Sequence, residues 1–525
     1  MTGALVAAVD VGTGSARAGI FDAAGRLLGR AEAPLEIKRL SAAIAAQDSA
    51  QIWAACATAL RAARAEAAAS PDRIAGLGFD ATCSIVVRDA AGGPVGVLPG
   101  EADRWNTILW LDHRARAEAA VCDATGHPVV AYAGGAMSPE LAIPKLMWLK
   151  RRMPETWSRA AHIADLADFL TLSASGNPAR SHCTLASKWT YLGSGTPSGW
   201  QPDFLSAIGL ADLRDRAGLP ERSTPIATDL GPLAPAAAAH LGLAPETRVA
   251  TGLIDAHAGA LGVLGHLQGG PAEHDLALIA GTSSCLMRLH RSGDPVPGLW
   301  GPFADVVLPG RLMSEGGQSA SGALLDHLIR RFGGGLVADS ATHARIASRI
   351  AALRADNPDL APGLSLLPDF QGNRSPFADA GLRGWITGLD MEEDFDGLCR
   401  LYWRAAVALA LGLRQVVEHF GAHGPTPQRL RIAGGHVRNA LLTRLYADAT
   451  GLPIELPEGD SVLLGTAMGA AVGAGLHPGL ASACAAMHQR TTRLDPDPAA
   501  GVWLERDWRR FRTLQRHRAE LAALG

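Results

Sequence analysis

Four stretches of the sequence combine residue types that can do chemistry. In Asp10-Val11-Gly12-Thr13-Gly14-Ser15 an acid precedes glycines that let backbone N–H groups converge on an anion, and Thr13 and Ser15 add hydroxyl donors. A phosphate fits such a turn, although an ordinary hairpin accounts for Asp-x-Gly-Thr equally well. Gly281-Thr282-Ser283-Ser284 repeats the Gly-Thr-x-Ser pattern 269 positions after Gly12, about half the chain. Asp255, in Gly252-Leu253-Ile254-Asp255-Ala256-His257, follows an apolar approach and precedes small residues, as a general base facing a cavity would. An N-terminal helix cap explains it too, and on spacing alone explains it better. His257 is the rival base, though a histidine among Ala and Gly more commonly packs. Gly434-Gly435-His436-Val437-Arg438-Asn439 places glycines where a strand gives way to a helix, so the backbone can approach a flat base or a phosphate. No G-x-x-x-x-G-K-[ST] occurs, which argues against a P-loop enzyme.

The elements that must hold these residues follow from patterning. Leu5–Val9 and Ala16–Phe21 predict a hairpin around the first turn, Arg26–Ala33 a third strand, 48–69 a helix stopped by Ser70-Pro71, and Ile74–Phe79 a buried strand. Further on, 108–111 reads as a strand and 143–152 as a helix bearing Lys145 and Trp148. The Gly/Pro/Ser-rich stretch 173–231 predicts irregular structure, with no element assigned. A second strand pair, 276–280 and 285–289, flanks the second Gly-Thr turn. Helices are predicted at 319–332, 395–419 and 441–450, a strand at 429–432, and a charged amphipathic tail helix at 502–524. The repeated turn suggests a duplicated domain. The expected division is 1–258 and 259–525, with a Gly/Ala-rich boundary near 252–270.

Composition narrows the function. The 525 residues exceed one core's usual reach, and 48% hydrophobic with 19% charged residues reads as globular. A net charge of −3 gives no footprint for nucleic acid or anionic lipid, which leaves a small ligand. Seven scattered cysteines without a C-x-x-C pair suggest reduced thiols in a cytoplasm. The N-terminus carries no basic, then apolar, export pattern, and no segment approaches a membrane span.

Taken in order, DVGTGSARAGIFD at Asp10, GLGFDATCS at Asp80, ILWLDHRA at Asp112, SPELAIPKLMWLK at Glu140, GLIDAHAGALG at Asp255, AGTSS at Gly281, QGNRSPFADAGLRG at Asn373 and AGGHVRN at Gly435 resemble the FGGY carbohydrate kinases, in particular their pentulose-kinase branch. The likeness runs from about Val6 to Gly475, and the order of the segments makes it specific.

The resemblance implies an α/β fold of two actin-like (RNase H-like) domains flanking an interdomain cleft for nucleotide and sugar. It implies ATP and Mg²⁺ as cofactors and a small sugar or polyol, D-ribulose first, as acceptor. Asp255 matches the catalytic base. Asp10 would hold Mg²⁺ through water; Gly12, Thr13, Gly14, Ser15 and Arg17 would meet the phosphates. Gly281 and Thr282 would grip them as well, and Gly434, Gly435 and Asn439 the nucleotide. Asp80, Ala81, Trp110, Asp112 and Glu140 would join Asp255 around the sugar. One departure is Gly459-Asp460-Ser461-Val462-Leu463-Leu464-Gly465, which lacks a Glu-Ala pair common in relatives. A non-catalytic nucleotide switch of the same fold would not need this polar sugar wall, and an ATP-grasp enzyme would need lysines in a Gly-rich loop. A homodimer is an assembly open to such a chain.

Overall fold

The computed structural model describes residues 3–193, 199–267 and 272–524. Parts of the expected irregular stretch 173–231 and of the boundary region 252–270 lie outside them. The chain forms two compact units. One holds Met1–Ala272, Arg288–Glu315 and Glu458–Arg490; the other holds Glu273–Met287, Gly316–Pro457 and Thr491–Gly525.

In the first unit the main sheet runs, in order, Asp229–Pro232, Arg248–Ala250, Ile74–Ala81, Leu5–Val11, Ser15–Asp22 and Leu27–Pro34, and Leu253–Ile254 also pairs with Ile74–Ala81. Alternation along the strands sends Leu5, Ala7, Val9, Leu77 and Phe79 into a core with Ile52, Cys56 and Leu60 of the helix Ser49–Glu66. Asp48 caps that helix, accepting from the N–H groups of Ala50 and Gln51.

The opposite parity gives Gly76, Gly78 and Asp80 on one strand and Val6, Ala8 and Asp10 in register beside them. This face meets the helix Ser461–Gly473. A Cβ on Gly76 or Gly78 would stand 2.6 Å from Ala470 O or 2.8 Å from Thr466 O, so only glycine lets the helix lie this close. The same helix crosses Asp255–Leu264 backbone to backbone, where a Cβ on Gly465 would fall 1.9 Å from Ala258 O. A smaller sheet, Lys38–Arg39, Ala45–Gln47, Thr107–Ile108, Ile85–Arg88 and His162–Asp165, carries the segment around Trp110. The run 108–111, expected as a strand, is paired only at its start. The stretch 173–231, expected to be irregular, contains the helices His182–Lys188, Pro202–Ala207 and Leu213–Ala217, each too short to show a period.

The second unit repeats the topology. Asp275–Ala280 runs antiparallel to Ser284–His290 and parallel to Arg429–Ala433; the latter is parallel to Ile454–Pro457, itself antiparallel to Thr491–Leu494. Leu5–Val11 has the same relations to Ser15–Asp22, Ile74–Ala81, Arg248–Ala250 and Asp229–Pro232 in turn. The long helix Phe395–Ala422 packs here against Gly322–Phe332, Ser340–Asp356 and Ala440–Thr450. The tail helix Ala500–Ala522 is not only a solvated face. Arg518 pairs with Asp369 at 2.6 Å and Arg404 with Asp507 at 2.6 Å, both pairs buried, and Gln415 and Gln515 exchange amide hydrogen bonds.

Candidate functional site

Three carboxylates gather where parallel strands end in the first unit. Asp10 and Asp80 are register partners, and Asp80 also faces Leu253, two residues before Asp255. The C-terminal ends of parallel strands are where open α/β sheets bind ligands. Asp10 is fully buried with neither oxygen accepting a hydrogen bond, while Arg17 Nη2 lies 2.9 Å from its Oδ2. Burial pushes its pKa up to about 6 against the pull of Arg17, with the charges of Asp460 and Asp255 raising it further. Asp80 Oδ2 accepts from the hydroxyl of Thr466, and its Oδ1 is buried without a partner. Burial, then the Asp10 charge, holds its carboxyl well above the usual range. The pair therefore shares a proton unless a cation lies beside it.

Asp255 opens the helix Asp255–Leu264, but Ile254 occupies the capping position and the side chain caps no helix N–H beyond its neighbour. Its Oδ1 accepts from Ala256 N–H at 2.7 Å, and the residue is partly exposed. Burial raises its pKa, while the Ala256 N–H, Arg17 and Lys188 draw it down. Thus the cap reading that spacing favoured does not describe this residue. His257 is enclosed: Nδ1 meets Cys183 Sγ at 3.1 Å and Nε2 lies 3.6 Å from Glu315 Oε2. Burial lowers its pKa, so the imidazole is neutral.

Lys188 and Glu315 escaped sequence reasoning. Lys188 Nζ reaches Glu315 Oε2 at 3.2 Å, both side chains buried, and lies 4.3 Å from the centre of the Trp300 ring. The two residues stand 127 positions apart in unmarked contexts.

The first turn is tied to the expected sugar wall. Trp110 Nε1 donates to Thr13 Oγ1 at 3.0 Å, and Gln47 donates to Thr13 O at 3.0 Å. Trp110 is pinned in turn: its N–H bonds Ser84 Oγ, and Lys145 Nζ donates to the carbonyls of Leu109 and Trp110 at 2.9 and 2.7 Å. Gly12 N–H closes the turn on Ser15 O at 3.0 Å. A Cβ on Gly12 would meet Arg17 Nη2 at 2.7 Å, whereas Gly14 faces open space. Ala81 ends its strand in register with Val11 and Ile254. Glu140 Oε1 lies 3.3 Å from His113 Nε2. Asp112 is consumed by structure: Arg114 grips both oxygens, and Ala45 and Arg114 N–H groups donate to them.

In the second unit the strand pairing Ile279↔Ala433 brings Gly281 and Thr282 beside Gly434 and Gly435. Gly434 has φ +85°, and a Cβ there would strike Ala280 O at 2.6 Å. Gly281 and Gly435 face open space. The helix Gly322–Phe332 starts on this turn, with Gly322 and Ala323 N–H bonded to the Gly281 and Thr282 carbonyls. Asn439 caps Ala440–Thr450 by accepting from Leu442 N–H at 3.1 Å. His436 lies buried under the turn, its pKa pushed down to about 4.

Mg²⁺ is commonly held by one or two carboxylates together with substrate phosphates. Among the described residues no three His, Cys, Asp or Glu converge on one point that could hold an ion unaided. The unpartnered oxygens of Asp10 and Asp80 fit the former arrangement.

Comparison with known proteins agrees. The FGGY family of carbohydrate kinases, N-terminal domain, matches residues 5–262, and its C-terminal domain matches 276–474. An FGGY carbohydrate kinase domain-containing protein of Danio rerio is 38% identical over 98% of each chain. A D-ribulokinase of Saccharomyces cerevisiae is 35% identical over 86% of this chain and 68% of its own. A xylulose kinase structure from Rhodospirillum rubrum superposes with TM-score 0.75 over 98% of this chain and 99% of its own, at 24% identity. The fold is the α/β architecture of two actin-like (RNase H-like) domains. On these matches the chain belongs to the FGGY carbohydrate kinases and is a sugar kinase.

Proposed function

We propose that this chain is a pentulose kinase that transfers the γ-phosphoryl group of ATP to the terminal hydroxyl of D-ribulose, giving D-ribulose 5-phosphate. The observation that carries the reading is Asp255: a partly exposed carboxylate at a helix start, among Arg17, Lys188 and two further buried acids. The Saccharomyces D-ribulokinase supports the choice of sugar. Bacterial relatives named ribulokinase, such as that of Bacillus licheniformis at 29% identity, keep L-ribulose, ribitol and xylulose as the second choice.

In this reading Asp255 accepts the proton of the attacking hydroxyl, and Arg17 and Lys188 keep its carboxylate available. Asp80, Ala81, Trp110 and Glu140 face the sugar, and Asp112 acts by fixing the segment that carries Trp110. Gly12, Thr13, Gly14, Ser15 and Arg17 receive phosphates, with Trp110 orienting the Thr13 hydroxyl. Gly281, Thr282, Gly434 and Gly435 hold the nucleotide, and Asn439 holds it from its helix cap. Asp10 would hold Mg²⁺ through water, which supplies charge neutralisation on the phosphates when bound. A division into a sugar-binding part, 1–258, and a nucleotide-binding part, 259–525, belongs to the same proposal. So does a cytoplasmic location, which the seven free cysteines suit. Among the described residues no helix is long and apolar enough to cross a membrane.

The test is ADP release against a panel of pentuloses and pentitols, with the phosphorylated product identified. D-Ribulose should give the highest kcat/KM. Preference for a hexose or glycerol would refute the pentulose assignment.

A further inference from the structure

Beside Lys188 the first unit encloses a cavity of about 20 Å³, walled by Tyr132, Leu141, Ser187, Thr190, Trp300 and Phe303. Ser187 Oγ is buried there with no hydrogen-bond partner. Buried hydroxyls are nearly always satisfied, and leaving one bare is costly. Thr190 has φ +57°, a left-handed conformation that a β-branched residue rarely adopts and that persists only where the surroundings impose it.

Size decides what can enter. A single water needs roughly 10–15 Å³ of such space. The cavity therefore takes one small oxygen-bearing group and no sugar ring or longer hydroxylated tail. Its walls are aromatic and aliphatic apart from Ser187, Lys188 and Thr190, so a guest hydroxyl finds Ser187 Oγ as a partner with no competing bond. Lys188 joins the cavity to the acceptor site, because its charge acts on Asp255 while its ammonium lies over Trp300.

We propose that this cavity receives the hydroxymethyl end of the sugar remote from the phosphorylated hydroxyl, and that Ser187 is a specificity-determining residue for ketoses bearing a C1 hydroxyl. The inference rests on the pentulose reading above and adds the group that reads the far end of the substrate.

The experiment compares kcat/KM for D-ribulose and 1-deoxy-D-ribulose in the wild type and in Ser187→Ala, with thermal melting to verify folding. The wild type should favour the parent sugar. Ser187→Ala should lose roughly 3–10-fold on the parent and less than twofold on the deoxy sugar, so that the ratio falls towards one. In the wild type alone, the deoxy sugar should also compete against the parent with an inhibition constant weaker by a similar factor. An unchanged ratio, whether both sugars suffer alike or neither does, overturns the assignment. A wild type that turns over no pentulose removes the proposed function and this inference together.

Discussion

Asp255 concentrates the chemistry at the scale of single residues. Replacing it by Asn keeps the shape and removes the base, so kcat should fall on the order of 10²–10⁴-fold while the dissociation constant of ATP, measured calorimetrically, changes little. Near-normal turnover would end its role. Its pKa lies above the ordinary 3.8 because burial outweighs the Ala256 N–H and the two cations. A base must be deprotonated to act, so kcat should be lost as pH falls through that raised value. Removing the Lys188 charge by Lys188→Met should move the acid limb of the kcat profile upward, and a limb that stays put would separate Lys188 from the base. Asp255 was visible in the sequence because an acid among small apolar residues has few structural reasons to be there. Lys188 and Glu315 were not, since the contact between them is made by the fold and neither sits in a patterned segment.

At the scale of elements, the helix Ser461–Gly473 lies on the carboxylate face and crosses the helix of Asp255. Gly465→Ala would drive a Cβ into Ala258 O, whereas at Gly469 in the same helix nothing stands within 4 Å. The first substitution should cost about 1–3 kcal/mol and lower kcat, because the helix it displaces carries the base. The second should be neutral or stabilising by up to about 1 kcal/mol. Urea denaturation of the two variants checks the contrast, and equal effects would mean that the crossing tolerates adjustment. This helix was illegible beforehand for a physical reason. It is buried nearly all round and built of Ala, Gly and Leu, so it lacks the apolar stripe that betrays a surface helix. The helix Ser340–Asp356 went unread for the opposite reason, burying little beyond Ile346 and Ile350. By contrast, the two hairpins around the Gly-Thr turns and the long helix Phe395–Ala422 were legible, because strong alternation or a broad apolar face marks them.

Over the whole molecule, the tail beyond the matched family segment is part of the second unit's core. Arg518→Ala would leave Asp369 buried without its cation, at a cost of about 3–5 kcal/mol, while the double change Arg518→Met with Asp369→Leu should cost less than the single one. Chemical denaturation of the three proteins decides it, and a single variant as stable as the wild type would reduce the tail to decoration. The two sheets share one strand order, yet their corresponding positions differ in character. Where the first sheet sets Asp10 against Asp80, the second sets Ile279 against Ala433 in the same register. One ancestral corner has thus been specialised in two directions, acidic in the first copy and electrically silent in the second. Any attempt to graft the phosphate-handling acids onto the younger twin would need two simultaneous changes on neighbouring strands, since a lone carboxylate there would be entombed with neither a sharing partner nor a cation.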